Sequence, residues 1–162
     1  MKFQITDDSG FLALIDPDQY ISFVDEDWEF DQLIAHFKEQ MKEHNLLIWH
    51  TGREDIWNLK INNKITEQKG FREIIGQIKV KNKLCLVNYE DLTMAAQFKD
   101  EILPLNHNKD LIIPLEEGNY RCRIIQMSDP EDWETKPEFD FTIELEKNDN
   151  FRNVWSSIPW EE

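Results

Sequence analysis

Short apolar runs with an alternating pattern recur along most of the chain and predict a protein dominated by β-strands. Alternation is cleanest at 139–145, and it is also present at 71–80 and 120–127. The run Phe11–Ile15 is almost continuously apolar and fits a buried strand. A strand at 20–24 would form a hairpin with this run, and strands at 46–50 and 56–61 would form another. Further strands are predicted at 2–6, 84–89 and 111–115.

Apolar residues at helical spacing predict one main helix at about 27–44. The stripe consists of Phe30, Leu33, Ile34, Phe37 and Met41. Asp25 or Asp27 is suited to cap the N-terminus of this helix, and Asn45 is suited to end it. A second, short helix is predicted at 91–98.

These elements together predict an α+β fold. We expect a mostly antiparallel sheet of about eight or nine strands, either curved or split into two layers, because hairpin-length connections disfavour a parallel sheet. The helix at 27–44 would pack on one face of that sheet. The length of 162 residues suits a single domain that spans 1–162.

The charge of the chain is strongly negative and unevenly distributed. The sequence holds 33 acidic and 18 basic residues, for a net charge of -15. Residues 1–44 and 129–162 each carry 11 acidic and 3 basic residues, whereas 45–128 is nearly balanced. This balance argues against direct binding to nucleic acid or to an anionic membrane, both of which favour basic surfaces. If the two ends meet, they would form one acidic face.

The sequence contains no recognisable catalytic, cofactor or metal-binding motif. None of the four histidines has the spacing of a zinc site, so we predict no catalytic residue, no cofactor and no structural metal. Weak binding of calcium by the acidic ends stays open. Cys85 and Cys122 lie in apolar stretches and are expected to be reduced, buried thiols. With no signal-peptide-like or membrane-spanning run, a cytoplasmic location is expected.

Tryptophan residues flanked by carboxylates form the candidate partner-binding surface. A tryptophan ring supplies contact area and acidic neighbours supply complementarity to a basic partner. The predicted partner-binding residues are Asp25, Glu26, Asp27, Glu29, Asp129, Glu131, Asp132, Trp133, Glu134, Trp155 and Trp160. The structural alternatives stay open. Trp28 and its neighbours could simply begin the helix, and the tail tryptophans could simply fix the C-terminus.

One stretch of the sequence resembles a known family. In residues 111–146, the segment that runs from Pro114 to Tyr120 leads into a strand, an acidic loop and a further strand. This arrangement is similar to the C-terminal part of the competence-nuclease inhibitor family. The acidic character and small size also resemble bacterial immunity proteins that neutralise basic nuclease toxins. The resemblance implies an inhibitor or immunity protein, and it identifies neither a target nor functional residues.

Three functional interpretations follow. The favoured one is an acidic binding module, an immunity protein or inhibitor that blocks a basic protein partner such as a nuclease toxin. The second is a structural or assembly protein that acts through a homodimer or larger homo-oligomer. The third is an enzyme or small-ligand binder with a site near Trp49, His50 and Trp57, which would flank one hairpin.

Overall fold

Two β-sheets and a layer of helices are stacked in the computed structural model, which describes residues 1–161. The helices are α1 (Phe30–Lys42) and α2 (Tyr89–Gln97), with a 3-10 turn at Asn106–Asn108. The strands are β1 (Lys2–Asp7), β2 (Phe11–Ile15), β3 (Leu46–His50), β4 (Asp55–Asn62), β5 (Arg72–Val80), β6 (Lys83–Asn88), β7 (Ile112–Pro114), β8 (Gly118–Gln126) and β9 (Phe141–Lys147). The α+β prediction is confirmed.

The strands form a large sheet in the order β1-β4-β9-β8-β5 and a small sheet in the order β3-β2-β6-β7. Every pair is antiparallel except β4 and β9, which run parallel. The expectation of a mostly antiparallel sheet split into two layers therefore holds, with one parallel pair that hairpin reasoning did not foresee. The two strands β3 and β4 lie in different sheets, so the hairpin predicted around residues 51–54 is wrong.

The small sheet is buried on both faces. Leu12 and Leu14 of β2 pack against the large sheet, whereas Ala13 and Ile15 pack against the helices. A strand with two buried faces needs apolar residues at every position, which is why Phe11–Ile15 shows no polar alternation. The free thiols of Cys85 and Cys122 are both buried in these cores, and burial raises the pKa of Cys85 to about 11.

Helix α1 is shorter than predicted at both ends. Asp25 accepts a hydrogen bond from the backbone N–H of Asp27 at 2.9 Å, so neither of them caps the helix. Glu29 is the N-cap instead, and its N–H donates to the side chain of Gln32 at 3.3 Å. At the other end His44, rather than Asn45, takes the left-handed conformation with φ of 62°.

Residues 20–24 form no strand, contrary to the prediction. Both edges of β2 are already occupied, one by β3 and the other by β6. The segment instead fills the groove between the two helices. The N–H of Ile21 donates to the side chain of Gln40 at 3.0 Å, and the N–H of Val24 donates to the carbonyl of Ala96 at 2.8 Å.

The C-terminal tail, residues 148–161, closes the edges of both sheets on one side. The indole of Trp155 donates to the carbonyl of Ile75 in β5 at 2.8 Å, and the carbonyl of Pro159 accepts from the N–H of His50 in β3 at 3.0 Å. Strand β1 lies at the opposite edge of the large sheet. The two acidic ends of the sequence nevertheless come into contact, since Ile158 shares a core cluster with Leu33 and Phe37 and Lys2 lies over the ring of Phe139. A single acidic face formed by the two ends stays a prediction.

A buried ion pair holds the covering segment 63–71 on the outer face of the large sheet. The Arg123 guanidinium donates to Glu144 at 2.8 Å and to Glu73 at 2.6 Å. Glu144 is fully buried and also accepts from the N–H and hydroxyl of Thr66. Burial on its own would raise the pKa of Glu144, but the hydrogen bonds from Thr66 and Arg123 lower it.

Replacing Arg123 with Met is expected to lower the free energy of unfolding by about 3–5 kcal/mol, because Glu144 would stay buried without its cation. The lowered pKa of Glu144 means that this stabilisation is present at neutral pH and is lost as the pH falls through the folded-state pKa. The difference in the free energy of unfolding between the wild-type protein and the variant should therefore be smaller in acid. Urea unfolding of both proteins at pH 7 and pH 4 measures this difference. Lys60→Met, at an exposed position of β4, is the control.

Candidate protein-interaction site

The acidic loop, residues 128–137, is held against the end of the sandwich by Arg53. The Arg53 guanidinium donates to the carbonyl of Pro130 and pairs with Asp55 at 2.8 Å. Its centre lies 4.3 Å from the ring centroid of Trp133 and 5.0 Å from that of Trp57. One arginine therefore joins the turn before β4 to two tryptophan rings and to the backbone of the loop.

A glycine allows the loop to lie this close. Gly52 has φ of 98°, a conformation that side chains disfavour. Pro130 occupies the space that a Cβ atom of Gly52 would need. The loop backbone is thus packed directly on the turn that carries Arg53.

Hydrogen bonds within the loop give it a defined shape. The Asp129 carboxylate accepts from the N–H of Glu131 at 2.9 Å. The Asp132 carboxylate accepts from the N–H groups of Glu134 and Thr135 at 3.0 and 3.2 Å, and hydrogen bonds from Thr135 and Glu134 lower the pKa of Asp132. These contacts organise the loop in the absence of any partner.

The loop presents an exposed tryptophan among unpaired acids. Trp133 is 65% exposed although its ring contacts Arg53, and Glu131, Asp132 and Glu134 are exposed around it. Within residues 1–161, no carboxylate of the loop takes part in a salt bridge. Asp129, Glu131, Asp132, Trp133 and Glu134, all predicted as partner-binding residues, thus lie in this one loop.

The tail tryptophans contribute mainly to the fold. Trp155 packs against the cores on both sides of the small sheet. The ring of Trp160 lies 4.2 Å from the guanidinium centre of Arg72, whose Nε donates to Gln126 at 2.7 Å. These contacts support the alternative that the rings fix the C-terminal tail, while the half-buried Trp160 also borders the cleft described below.

The first acidic group, which comprises Asp25, Glu26, Asp27 and Glu29, lies before helix α1 and is exposed. Trp28 is half-buried against the core beneath the helices, in keeping with the structural alternative for that residue. No hydrogen bond, salt bridge or ring contact joins this group to the acidic loop in the part of the chain that the structure describes. The first acidic group is therefore not in direct contact with the acidic loop.

A cleft of about 460 Å³ opens beside the acidic loop. Its wall includes His50, Phe71, Arg72, Asp129 and Trp160. His50 was predicted as part of a ligand site, but Trp49 and Trp57 are core residues and do not line the cleft. Sequence reasoning missed Phe71 and Arg72, as it missed Arg53 beneath the acidic loop, because their partners are distant in sequence and no local pattern marks them.

No set of three or more His, Cys, Asp or Glu side chains among residues 1–161 is arranged to hold a metal ion. Neither helix in this described part is long and apolar enough to cross a bilayer.

Comparisons with known proteins relate this chain to two solved structures. No protein-family model and no curated protein sequence matches it. The structure described as "Crocagin biosynthetic gene J" is 12% identical, with a TM-score of 0.63, and the match covers 90% of this chain and 95% of that one. At this identity the similarity shows a shared fold only.

The second structure is described as "ComJ, inhibitor of the DNA degrading activity of NucA, from Bacillus subtilis". It is 10% identical, with a TM-score of 0.48 over 90% of this chain and 92% of that one.

Replacing Arg53 with Gln is expected to loosen the acidic loop without unfolding the protein. The lost cation–π and ionic contacts are worth about 1–2 kcal/mol, so amide hydrogen exchange at 131–135 should accelerate roughly 5- to 30-fold. Lys136→Gln removes the same charge from an exposed position in the loop and should leave exchange unchanged. Equal acceleration in both variants would show that Arg53 does not hold the loop.

Proposed function

We propose that this protein is an acidic binding module that inhibits a basic protein partner, with a nuclease toxin as the favoured class. The observation that carries the proposal is the acidic loop, in which Arg53 presents the exposed ring of Trp133 among unpaired carboxylates. Interface hot spots are enriched in tryptophan, and a surface organised before binding loses less entropy on association.

The acids of this loop suit a partner that normally binds phosphate groups. Carboxylates on the inhibitor can occupy the positions where a nuclease holds the phosphates of its substrate, and the bulk of the loop then blocks access. The net charge of -15 would steer a basic partner toward the protein and speed association, an effect that salt screens. The same charge disfavours self-association, on which the alternative of a structural or assembly protein depends.

The partner is to be recovered from the native lysate on tagged protein, washed at low and high salt, and identified by mass spectrometry. The proposal expects one basic protein whose retention falls with salt. Its nuclease activity is then assayed with and without this protein. A recovered partner that is acidic, or whose activity is unaffected, would contradict the inhibitor function. A stable homo-oligomer without partner, seen by light scattering, would favour the assembly alternative.

With that partner, the quadruple variant D129N, E131Q, D132N and E134Q should associate at least 10-fold more slowly at low salt, and the difference should shrink at high salt. Trp133→Ala should instead raise the dissociation rate, with a loss of about 2 kcal/mol or roughly 30-fold in affinity. Stopped-flow and surface-binding kinetics measure these effects.

The matched control is E39Q, E67Q, D110N and E117Q, which removes the same charge from exposed positions elsewhere. Equal slowing by both quadruple variants would show general steering without a defined site. Unchanged affinity in the loop variants would show that the acidic loop is not the interface.

The cleft supports a second candidate, a small-ligand binder. Its volume of about 460 Å³ lies within the range of ligand pockets, and its wall mixes aromatic rings with His50, Arg72 and carboxylates. Saturation-transfer NMR with a fragment library should then give hits that Phe71→Ser, at an exposed wall position, removes. Ile56→Ser, on the outer face of β4, should leave them. Fragments that still bind the Phe71→Ser variant would show that the cleft is not their binding site.

A further inference from the structure

Three large apolar side chains are exposed on two neighbouring segments of the helix layer. Ile21 is 62% exposed, Phe98 45% and Ile102 77%. They belong to two segments that the structure joins, since the N–H groups of Val24 and Asp25 both donate to the carbonyl of Ala96 at 2.8 and 3.1 Å. Isolated surface hydrophobics are ordinary, but a contiguous group of them marks an interaction surface.

A small cavity lies between the same two segments. It measures about 80 Å³, and its wall includes Tyr20, Ser22, Ile102 and Leu103. Such a volume exceeds that of one water molecule several-fold, so it has room for a short side chain. The cavity gives the apolar surface a place for one inserted group, as anchor residues at interfaces require.

Tyr20, in the wall of this cavity, has an unpartnered hydroxyl. The residue is only 7% exposed, and no group in the described part of the protein forms a hydrogen bond with its hydroxyl. Burial raises the pKa of Tyr20, so the hydroxyl stays protonated and can donate as well as accept. A buried polar group without a partner is costly, and a ligand that supplied one would gain from it.

The surroundings of the surface are acidic. Residues 16–31 and 97–104 hold nine carboxylates and one lysine, and all of these carboxylates except the buried Asp16 are at least partly exposed. The ammonium of that lysine, Lys99, lies over the ring of Phe23 at 5.0 Å from its centroid. No carboxylate in these two segments forms a salt bridge within residues 1–161. A second copy of the chain would bring like charges together, whereas a basic partner would not.

We propose that Ile21, Phe98, Ile102 and the Tyr20 cavity form a second docking surface, separate from the acidic loop. Its occupant is a protein segment that inserts one short, hydroxyl-bearing side chain into the cavity and places lysine or arginine residues beside Asp25, Glu26 and Asp27. The inserted hydroxyl pairs with that of Tyr20, apolar neighbours cover Ile21, Phe98 and Ile102, and the carboxylates attract the flanking cations. This goes beyond the proposed function, because it holds whatever binds the acidic loop.

The probe is the acetylated peptide Lys-Lys-Leu-Thr-Leu-Lys-Lys, titrated into the ¹⁵N-labelled full chain and followed by NMR. The proposal expects shift changes at 20–25 and 96–103. The central Thr peptide should bind three- to tenfold more tightly than the isosteric Val peptide. A peptide with Glu in place of every Lys should not bind.

Two variants locate the site. Ile102→Ser should weaken binding at least tenfold, whereas Ile56→Ser on the large sheet should not change it. Tyr20→Phe should leave the fold intact and abolish the preference for Thr over Val. The quadruple acidic-loop variant should bind this peptide normally, so failure of this surface is distinguishable from failure of the proposed function.

Three outcomes would overturn the proposal. They are shift changes confined to the acidic loop or the cleft, binding that Ile102→Ser leaves unchanged, and equal affinity for the Lys and Glu peptides. A preference for Thr that persists in Tyr20→Phe would show that the Tyr20 hydroxyl does not recognise the inserted side chain. The proposed hydroxyl-bearing occupant would then be wrong.

Discussion

Burial of the small sheet on both faces is the constraint on which the rest of the structure depends. Strand β2 is apolar at every position, so one sheet face must meet the large sheet and the other must meet the helices. This requirement sends β1 and β4 into a different sheet from β2 and β3, although they adjoin them in sequence. Irregular segments cover what the layers leave open. Residues 20–25 lie between the helices, residues 63–71 cover the outer face of the large sheet, and the C-terminal tail lies along the edges of both sheets.

The arginines of the balanced middle segment hold the acidic C-terminal segment, residues 129–162, against this framework. Arg53 contacts Pro130 and Trp133, Arg72 contacts Trp160, Arg121 lies over Phe151, and Arg123 pairs with Glu144. Guanidinium groups suit these positions because they combine planar stacking on rings with several directed hydrogen bonds. The uneven distribution of charge along the chain therefore contributes to holding the fold together. The acids that remain unpaired after these contacts are the ones available to a partner.

The two exposed acidic surfaces differ in character. The acidic loop offers one large ring, Trp133, and is rigidly supported from below by Arg53 and Gly52. The surface on the helix layer offers several smaller apolar groups around a cavity, and its acids lie at the border. Both combine apolar contact area with negative charge, and the two proposals rest on this combination. The cleft between the acidic loop and the C-terminal tail differs from both surfaces, because its wall contains cationic as well as acidic side chains.

The sequence by itself determined most of the elements. Two patterns predicted burial correctly, because each depends only on which side of a single element faces the core. One is the strand alternation at Phe141, Ile143 and Leu145, and the other is the helical stripe at Leu33, Phe37 and Met41. The acidic loop with Trp133 was also recognisable from composition. Tertiary structure alone decided which strands pair, why residues 20–24 are not a strand, and that Arg53 supports Trp133. These features depend on neighbours far away in the chain, such as Ala96 beside Val24, and no local pattern encodes a contact whose partner is distant in sequence.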